Sequence, residues 1–261
     1  MTPDLTKLLQ DWPFEPGQIN VRLIQGEDGQ PKVQMRLDLG LLQMEVMGRP
    51  DALEPFGCES LLEYFEQRME HASEPAATPE EESDPPVLSE DDCRMLREEA
   101  VQYYHRYISL LVLGDFDGVI RDTSRNLRVL DICRQHAESD EDRAVLEQFR
   151  PYITMMRARA VASQMVSDGE AKAALFFIDE GIEQIRKQYD DQGRAAELEE
   201  SSELQLLRGM RDELVTKLPA GQKHELRERL RKALEQENYE LAAILRDELK
   251  SMREDGRAEG P

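Results

Sequence analysis

Residues 96–130 read LREEAVQYYHRYISLLVLGDFDGVIRDTSRNLRVL, and this stretch decides the fold class. Leu96, Ala100, Tyr103, Tyr107 and Leu110 recur at three- and four-residue steps, the spacing that lines apolar side chains along one face of an α-helix. Gly114-Asp115-Phe116-Asp117 breaks the pattern, and Phe116, Ile120, Thr123, Leu127 and Leu130 resume it. Glycine tolerates the left-handed conformation that ends a helix, and an acidic side chain after it accepts from the free N–H groups of the next. The stretch therefore predicts a helical hairpin.

The helical pattern continues toward the C-terminus. Ser139 with Asp142 reads as a capping box opening a third helix, with Leu146, Phe149, Ile153, Met156 and Ala160 on its apolar face and a kink expected at Pro151. Asp168-Gly169 breaks it, and Ala174, Phe177, Ile178, Ile182 and Ile185 mark a fourth helix. Asp190 to Gly193 precedes a charged fifth helix with Leu207, Met210 and Leu214, ended by Pro219-Ala220-Gly221.

Two of these breaks superpose at a spacing of 55 residues: Gly114 over Gly169, Asn126 over Gly181, Leu127 over Ile182. This resembles tetratricopeptide-type helical hairpins, whose turn reads Gly-Asp-Tyr-x-x-Ala-Ile. The departures are a period longer than the family's, about 34 residues, Tyr107 at a position that wants a small residue, and no closing Pro. An unrelated helix bundle accounts for the same pattern, and either arrangement implies a scaffold that displays surfaces.

Toward the N-terminus the periodicity changes to two. Ile19, Val21 and Leu23, then Val33, Met35, Leu37 and Leu39, then Leu42, Met44 and Val46 alternate with polar residues, with turn chemistry at Gly26-Glu27-Asp28-Gly29 and at Gly40. Residues 18–48 thus predict a three-stranded antiparallel meander with one apolar and one wet face. A short helix from Ser60 to about His71 is expected to cover the apolar face with Leu61, Leu62, Phe65 and Met69. Residues 72–92 hold Pro75, Pro79, Pro85, Pro86, eight acids and no basic residue, the composition of a solvated linker.

The most ordered motif is ELRERLRKALEQENYELAAILRDELKSM, residues 225–252. Leu226, Leu230 and Ala233 make one apolar stripe, Glu237-Asn238 interrupts it, and Tyr239, Ala242, Ala243, Leu245, Leu249 and Met252 make a second. Two short antiparallel helices are expected, with the two alanines permitting close approach and Tyr239 at the corner. The spaced leucines, Ala233, Glu237-x-Tyr239-Glu240, Ala242-Ala243 and Leu245-Arg246-Asp247 before Leu249 resemble the UVR motif of the excision-repair proteins UvrB and UvrC, also carried by some Clp chaperones and McsA regulators. Tyr239 stands where that family often has Phe. The resemblance implies a helical hairpin for protein–protein contact, with Leu230, Ala233, Tyr239, Ala242, Ala243, Leu245, Arg246 and Leu249 as protein-binding residues. Residues 222–253 carry eight basic and seven acidic side chains, which suits apolar docking edged by charge pairs.

Composition excludes several classes. Asp plus Glu number 55 against 33 Lys plus Arg, a net charge of -22 that repels phosphate, so direct nucleic-acid binding is not expected. No apolar run is long enough for a membrane span, Met1 to Pro13 does not read as a signal peptide, and Cys58, Cys93 and Cys133 at wide spacing fit a reduced compartment, the cytoplasm. No Gly-x-x-x-x-Gly-Lys-Ser/Thr loop is present, so UvrB's ATPase is not carried here, nor are the Cys-x-x-Cys elements of McsA-type proteins. Cys133 and His136 lack a second pair for a metal, and Asp115-Phe116-Asp117-Gly118 lacks the acidic ladder of a calcium loop. Tyr103, Tyr104 and Tyr107 read as packed core or as a ligand groove.

The expected architecture is α+β, mostly α: a small β-meander plus helix domain (1–71), an acidic linker (72–92), a helical-hairpin domain (93–218) and a UVR hairpin (222–253). The expected function is a non-catalytic, cytoplasmic protein–protein interaction adaptor with no cofactor and no metal. Its partner is a protein, another UVR-containing protein being a candidate. The alternatives are an accessory factor of nucleotide excision repair acting through UvrB or UvrC, and a regulator of Clp-type proteolysis.

Overall fold

A computed structural model of the chain describes residues 4–73, 87–217, 230 and 243–246. In chain order these form α1 (Thr6–Asp11), β1 (Asn20–Gln25), β2 (Pro31–Arg36), β3 (Leu41–Glu45), α2 (Leu61–Ser73), α3 (Glu90–Leu113), α4 (Phe116–His136), α5 (Asp140–Val145), α6 (Arg150–Ser167), α7 (Ala171–Asp191) and α8 (Ser202–Lys217). The α+β, mostly α class is the one adopted, a small antiparallel sheet followed by helices. No helix among the described residues is long and apolar enough to cross a membrane. The chain forms two compact units, Met1–Val161 and Ala162–Pro261.

In the first unit the meander has the expected order β1-β2-β3, both pairings antiparallel. Val21 faces Met35, Leu23 faces Val33, and Val33 and Met35 in turn face Met44 and Leu42, so the apolar residues share one side of the pleat. Val33, Met35 and Met44 are buried. The other side is less wet than alternation suggests, because Lys32, Gln34 and Arg36 are buried too. A polar ladder satisfies them: Arg22 Nε donates to Gln34 Oε1 (2.8 Å), Gln34 Nε2 donates to Gln43 Oε1 (2.8 Å), and Lys32 pairs with Asp28 and Glu45. Arg36 Nε donates to the carbonyl of Trp12 (2.8 Å), whose ring lies 4.1 Å beneath the Arg22 guanidinium.

Helix α3, rather than α2, lies against β1 and β2. Leu61, Leu62 and Phe65 of α2 instead join Leu88, Leu96, Ala100, Leu130, Cys133 and Ile153 in one core cluster, with Met69 packed against it. The expectation that α2 covers the sheet fails because its apolar stripe fits the larger apolar surface of α3 and α4. Glu99 of α3, fully buried, holds this junction: its carboxylate accepts from Leu61 N (2.9 Å) and pairs with Arg49 (3.3 Å) and Arg125. Arg106, about two turns further along the same side of α3, donates to the carbonyls of Glu45 (3.0 Å) and Gly48 (2.7 Å) at the end of β3. Sheet and helices therefore belong to one compact unit, and the units part at Val161–Ala162, inside α6, rather than across residues 72–92.

Part of the stretch read as linker is built. Leu88 is wholly buried and bridges Ala137, and Ser89 caps α3 in a box with Asp92. Three acids there, Glu90, Asp91 and Asp92, occupy the first turn of α3, where the helix dipole favours negative charge, so acidic composition alone does not distinguish a cap from a linker. Residues 74–86 lie outside the described residues.

Gly114 ends α3 at φ +77° and Asp115 caps α4 by accepting from Gly118 N (3.0 Å), as the break implies. Gly169 sits at φ +80°, but Glu170 makes no side-chain cap to α7. The 55-residue spacing has a structural cause, since α5 and a 3-10 turn at Glu147–Phe149 are inserted between α4 and α6. The expected single third helix is thus two, α5 and α6. Pro151 stands in the first turn of α6, where its missing N–H removes no helical bond, instead of kinking a continuous helix.

In the second unit α7 packs on α8 and on the 3-10 turn Ala195–Glu200. Ala174, Ile178, Ile182 and Ile185 of α7 are buried, as are Leu204 and Leu207 of α8. Arg211 joins the two helices through Asp179 (2.7 Å). The expected stop at Pro219-Ala220-Gly221 lies outside the described residues.

Candidate functional site

Helix α3 presents Arg97, Ala100, Val101, Tyr104 and Tyr107 along one stripe, and the three-/four-residue spacing carries that stripe past its own hydrophobic core into an open cleft. The cleft has a volume of about 570 Å³. Asn126 and Leu130 of α4 line it from one side; Leu146, Phe149, Tyr152 and Ile153 close the other. The break between α5 and α6 makes this possible, because the 3-10 turn carries Phe149 to the rim, where it is 51% exposed, instead of onto a buried helix face.

The tyrosines divide between the two sequence readings. Tyr103 is buried as core, with the Arg125 guanidinium 4.1 Å over its ring. Tyr104 and Tyr107 line the cleft, edge to face at 5.5 Å, and Tyr152 follows at 6.3 Å from Tyr104. Burial pushes the Tyr103 phenol up to about 12, and the Tyr107 phenol higher still, so neither exchanges protons near neutrality. Burial also lowers the pKa of His105 on the same helix, favouring its neutral form.

The polar groups of the cleft are committed internally. Asn126 Nδ2 donates to the Ala100 carbonyl (2.9 Å) and its Oδ1 accepts from Arg125 Nη1 (3.1 Å). Arg97 binds Asp142 at 2.5 Å, and the Asp142 carboxyl, which also accepts from Ser139 Oγ (2.8 Å), is held below the usual carboxylate range by Arg97 first and Ser139 second. Such walls offer apolar contact and little charge. On the far side of Arg97 lies a second, polar recess of about 370 Å³, lined by Glu90, Glu138, Glu141, Asp142, Ser139 and Val145.

Of the residues the UVR resemblance singles out, four are described. Leu230 is half-buried; Ala243 and Arg246 are exposed, and Leu245 is buried at 3% exposure. Ile244, which the stripe reading passed over, is 59% exposed between them. Ala233, Tyr239, Ala242 and Leu249 lie outside the described residues, as does most of the expected hairpin. The cleft itself was signalled only by the tyrosine cluster; Leu146, Phe149 and Ile153 were read as part of one apolar helix face, and Tyr152 carried no sequence cue.

Among the described residues no group of three or more His, Cys, Asp or Glu side chains is placed to hold a metal ion. Cys133 and Cys93 are buried free thiols. Residues 221–255 match the family model described as the UvrB/uvrC motif, a protein-interaction module. No curated protein and no solved structure matches the chain.

Proposed function

We propose that this protein is a non-catalytic, cytoplasmic adaptor that binds a partner protein through its C-terminal UVR motif and displays a second surface on its helices. The observation that carries this reading is the UvrB/uvrC motif match over residues 221–255. The near balance of charge in residues 222–253, within a chain of net charge -22, supports it: the module docks without the repulsion the rest of the surface imposes on acidic partners. The exposed apolar Ile244 beside exposed Ala243 supports it as well, since an exposed apolar side chain gains from burial against a partner. The motif's kinship with UvrB and UvrC favours a second, narrower reading, an accessory role in nucleotide excision repair through one of those proteins. Regulation of Clp-type proteolysis is the remaining alternative within the adaptor class.

The test is capture from native extract with the full chain, Ala243→Glu and Arg229→Ala. Ala243→Glu adds a charge to the exposed patch, and desolvating it against an apolar partner costs several kcal/mol by order of magnitude. Arg229 falls off the leucine stripe of the sequence, and an exposed ion pair contributes about 0–1 kcal/mol. Loss of the partner by Ala243→Glu alone, with thermal unfolding unchanged, supports the adaptor reading. Equal capture by all three proteins removes the UVR motif from the function. UvrB or UvrC in the captured fraction supports the repair reading, and a Clp component supports the proteolytic one.

A further inference from the structure

The aromatic cleft and the acidic recess of the first unit meet at one side chain, Arg97, which lines both. We propose that together they form a docking site for a basic amphipathic helix of a partner protein, its apolar side chains entering the cleft and its Lys or Arg side chains lying over the recess. The inference rests on the adaptor reading only in taking the helical region to bind protein, and it does not depend on the UVR motif.

Three observations select this occupant. The cleft is within the size range of built ligand sites, and its rim keeps Val101, Tyr104 and Phe149 at 52%, 37% and 51% exposure. Large apolar side chains held open at a rim are what a helix lays its apolar face into. Next, Arg97 is neutralised by Asp142, and the Asn126 amide and carbonyl are both engaged, so the walls offer no charge to an ionic small molecule. Finally, Glu90, Glu138 and Glu141 in the recess are exposed and have no ion-pair partner among the described residues, which leaves three carboxylates for a cationic partner. The overall charge of -22 steers such a segment in and repels an acidic one.

The experiment uses the full chain and a synthetic Leu/Lys amphipathic helix carrying one Trp, followed by fluorescence, with a Leu/Glu helix of the same design as comparison. The Leu/Lys helix is expected to bind and the Leu/Glu helix not to. Phe149→Glu and Val101→Glu change exposed rim positions, and thermal melts verify that each is folded. Each should weaken binding at least roughly ten-fold, as loss of an apolar anchor does, even though each adds a negative charge. Glu138→Gln with Glu141→Gln should weaken binding several-fold at low salt and converge with wild type at high salt. Absence of Leu/Lys binding overturns the proposal, as does equal binding of the Leu/Glu helix. Binding that is unchanged or strengthened in the two rim variants also overturns it, because that is what attraction to an acidic surface alone produces. Capture through the UVR motif is measured on the same variants and on Ala243→Glu. A failed peptide test with capture still lost in Ala243→Glu sinks the cleft and leaves the adaptor standing, while the opposite pattern sinks the UVR reading and leaves the cleft.

Discussion

Arg106 and Asp122 form a two-pronged ion pair in the interior, Nε to Oδ2 at 2.7 Å and Nη2 to Oδ1 at 2.8 Å, with side chains 1% and 0% exposed. Asp122 also accepts from Arg121 Nε at 2.9 Å, and Arg121 Nη2 reaches the carbonyl of Val46 at 3.0 Å. One carboxylate on α4 therefore organises two guanidinium groups that both hold the segment after β3. Planar guanidinium suits this role because it offers donors in a fixed fork.

Asp122→Ala leaves Arg106 buried without its counter-charge. A loss of about 3–5 kcal/mol is expected in urea unfolding. Replacing both partners, Arg106→Met with Asp122→Leu, should recover part of it, because the uncompensated charge goes too. A single variant as stable as wild type would show that the pair does not hold the sheet to the helices.

Stability should fall at acid pH through Asp142. Its folded-state pKa is lowered by Arg97 and then by Ser139, so the stabilisation is present above the unfolded value, about 3.9, and is lost as pH falls through the lower folded value. Asp142→Asn should be less stable at neutral pH and show a shallower decline below about pH 4. Parallel acid limbs for the two proteins would refute this assignment.

Thiol chemistry should separate the cysteines. Cys58 is partly exposed, whereas Cys93 and Cys133 are buried. Burial pushes the Cys133 thiol up to about 12 and raises that of Cys93, so little thiolate forms in either. A disulfide reagent at neutral pH should modify Cys58 alone in the folded protein and all three cysteines in denaturant. Rapid native labelling of Cys133 would contradict the packing of α3 on α4.

Duplex DNA should bind weakly at physiological salt, since 55 acids against 33 basic side chains repel the phosphates over most of the surface. Gel-shift titration of the isolated protein tests this. Sub-micromolar binding without a partner protein would make direct DNA contact, not adaptor function, the better reading.

The sequence by itself determined the three strands and the hairpin of α3 and α4. Period two placed Val21, Val33, Met35 and Met44 on one side of the sheet, because a pleated strand turns alternate side chains the same way. Steps of three and four placed Leu96, Tyr103, Tyr107 and Leu110 inside α3, and Gly114 stopped it by the left-handed turn only glycine makes freely. The sequence pattern from Glu225 to Met252 was sufficient to identify the UVR motif. All of these are local signals, carried by residues within a turn or two of one another.

Only the tertiary structure decided what each face meets. Glu99, Arg106, Asp122 and Arg125 are charged residues on helices, yet they are buried, because each charge is neutralised or hydrogen-bonded by a group distant in sequence: Arg106 reaches residues 16 and 61 positions away. Periodicity reports the preference of a side chain for water, and that preference reverses when the fold supplies a counter-charge. Leu61, Leu62 and Phe65 had the stripe of a covering helix but no signal for which surface they cover. The tyrosine cluster allowed a groove, but the far wall of the cleft is beyond any local pattern, since it is set where α5 and α6 fail to continue as one helix and Phe149 stays at the rim. A void is set by how helices cross, and no single segment of the sequence encodes that.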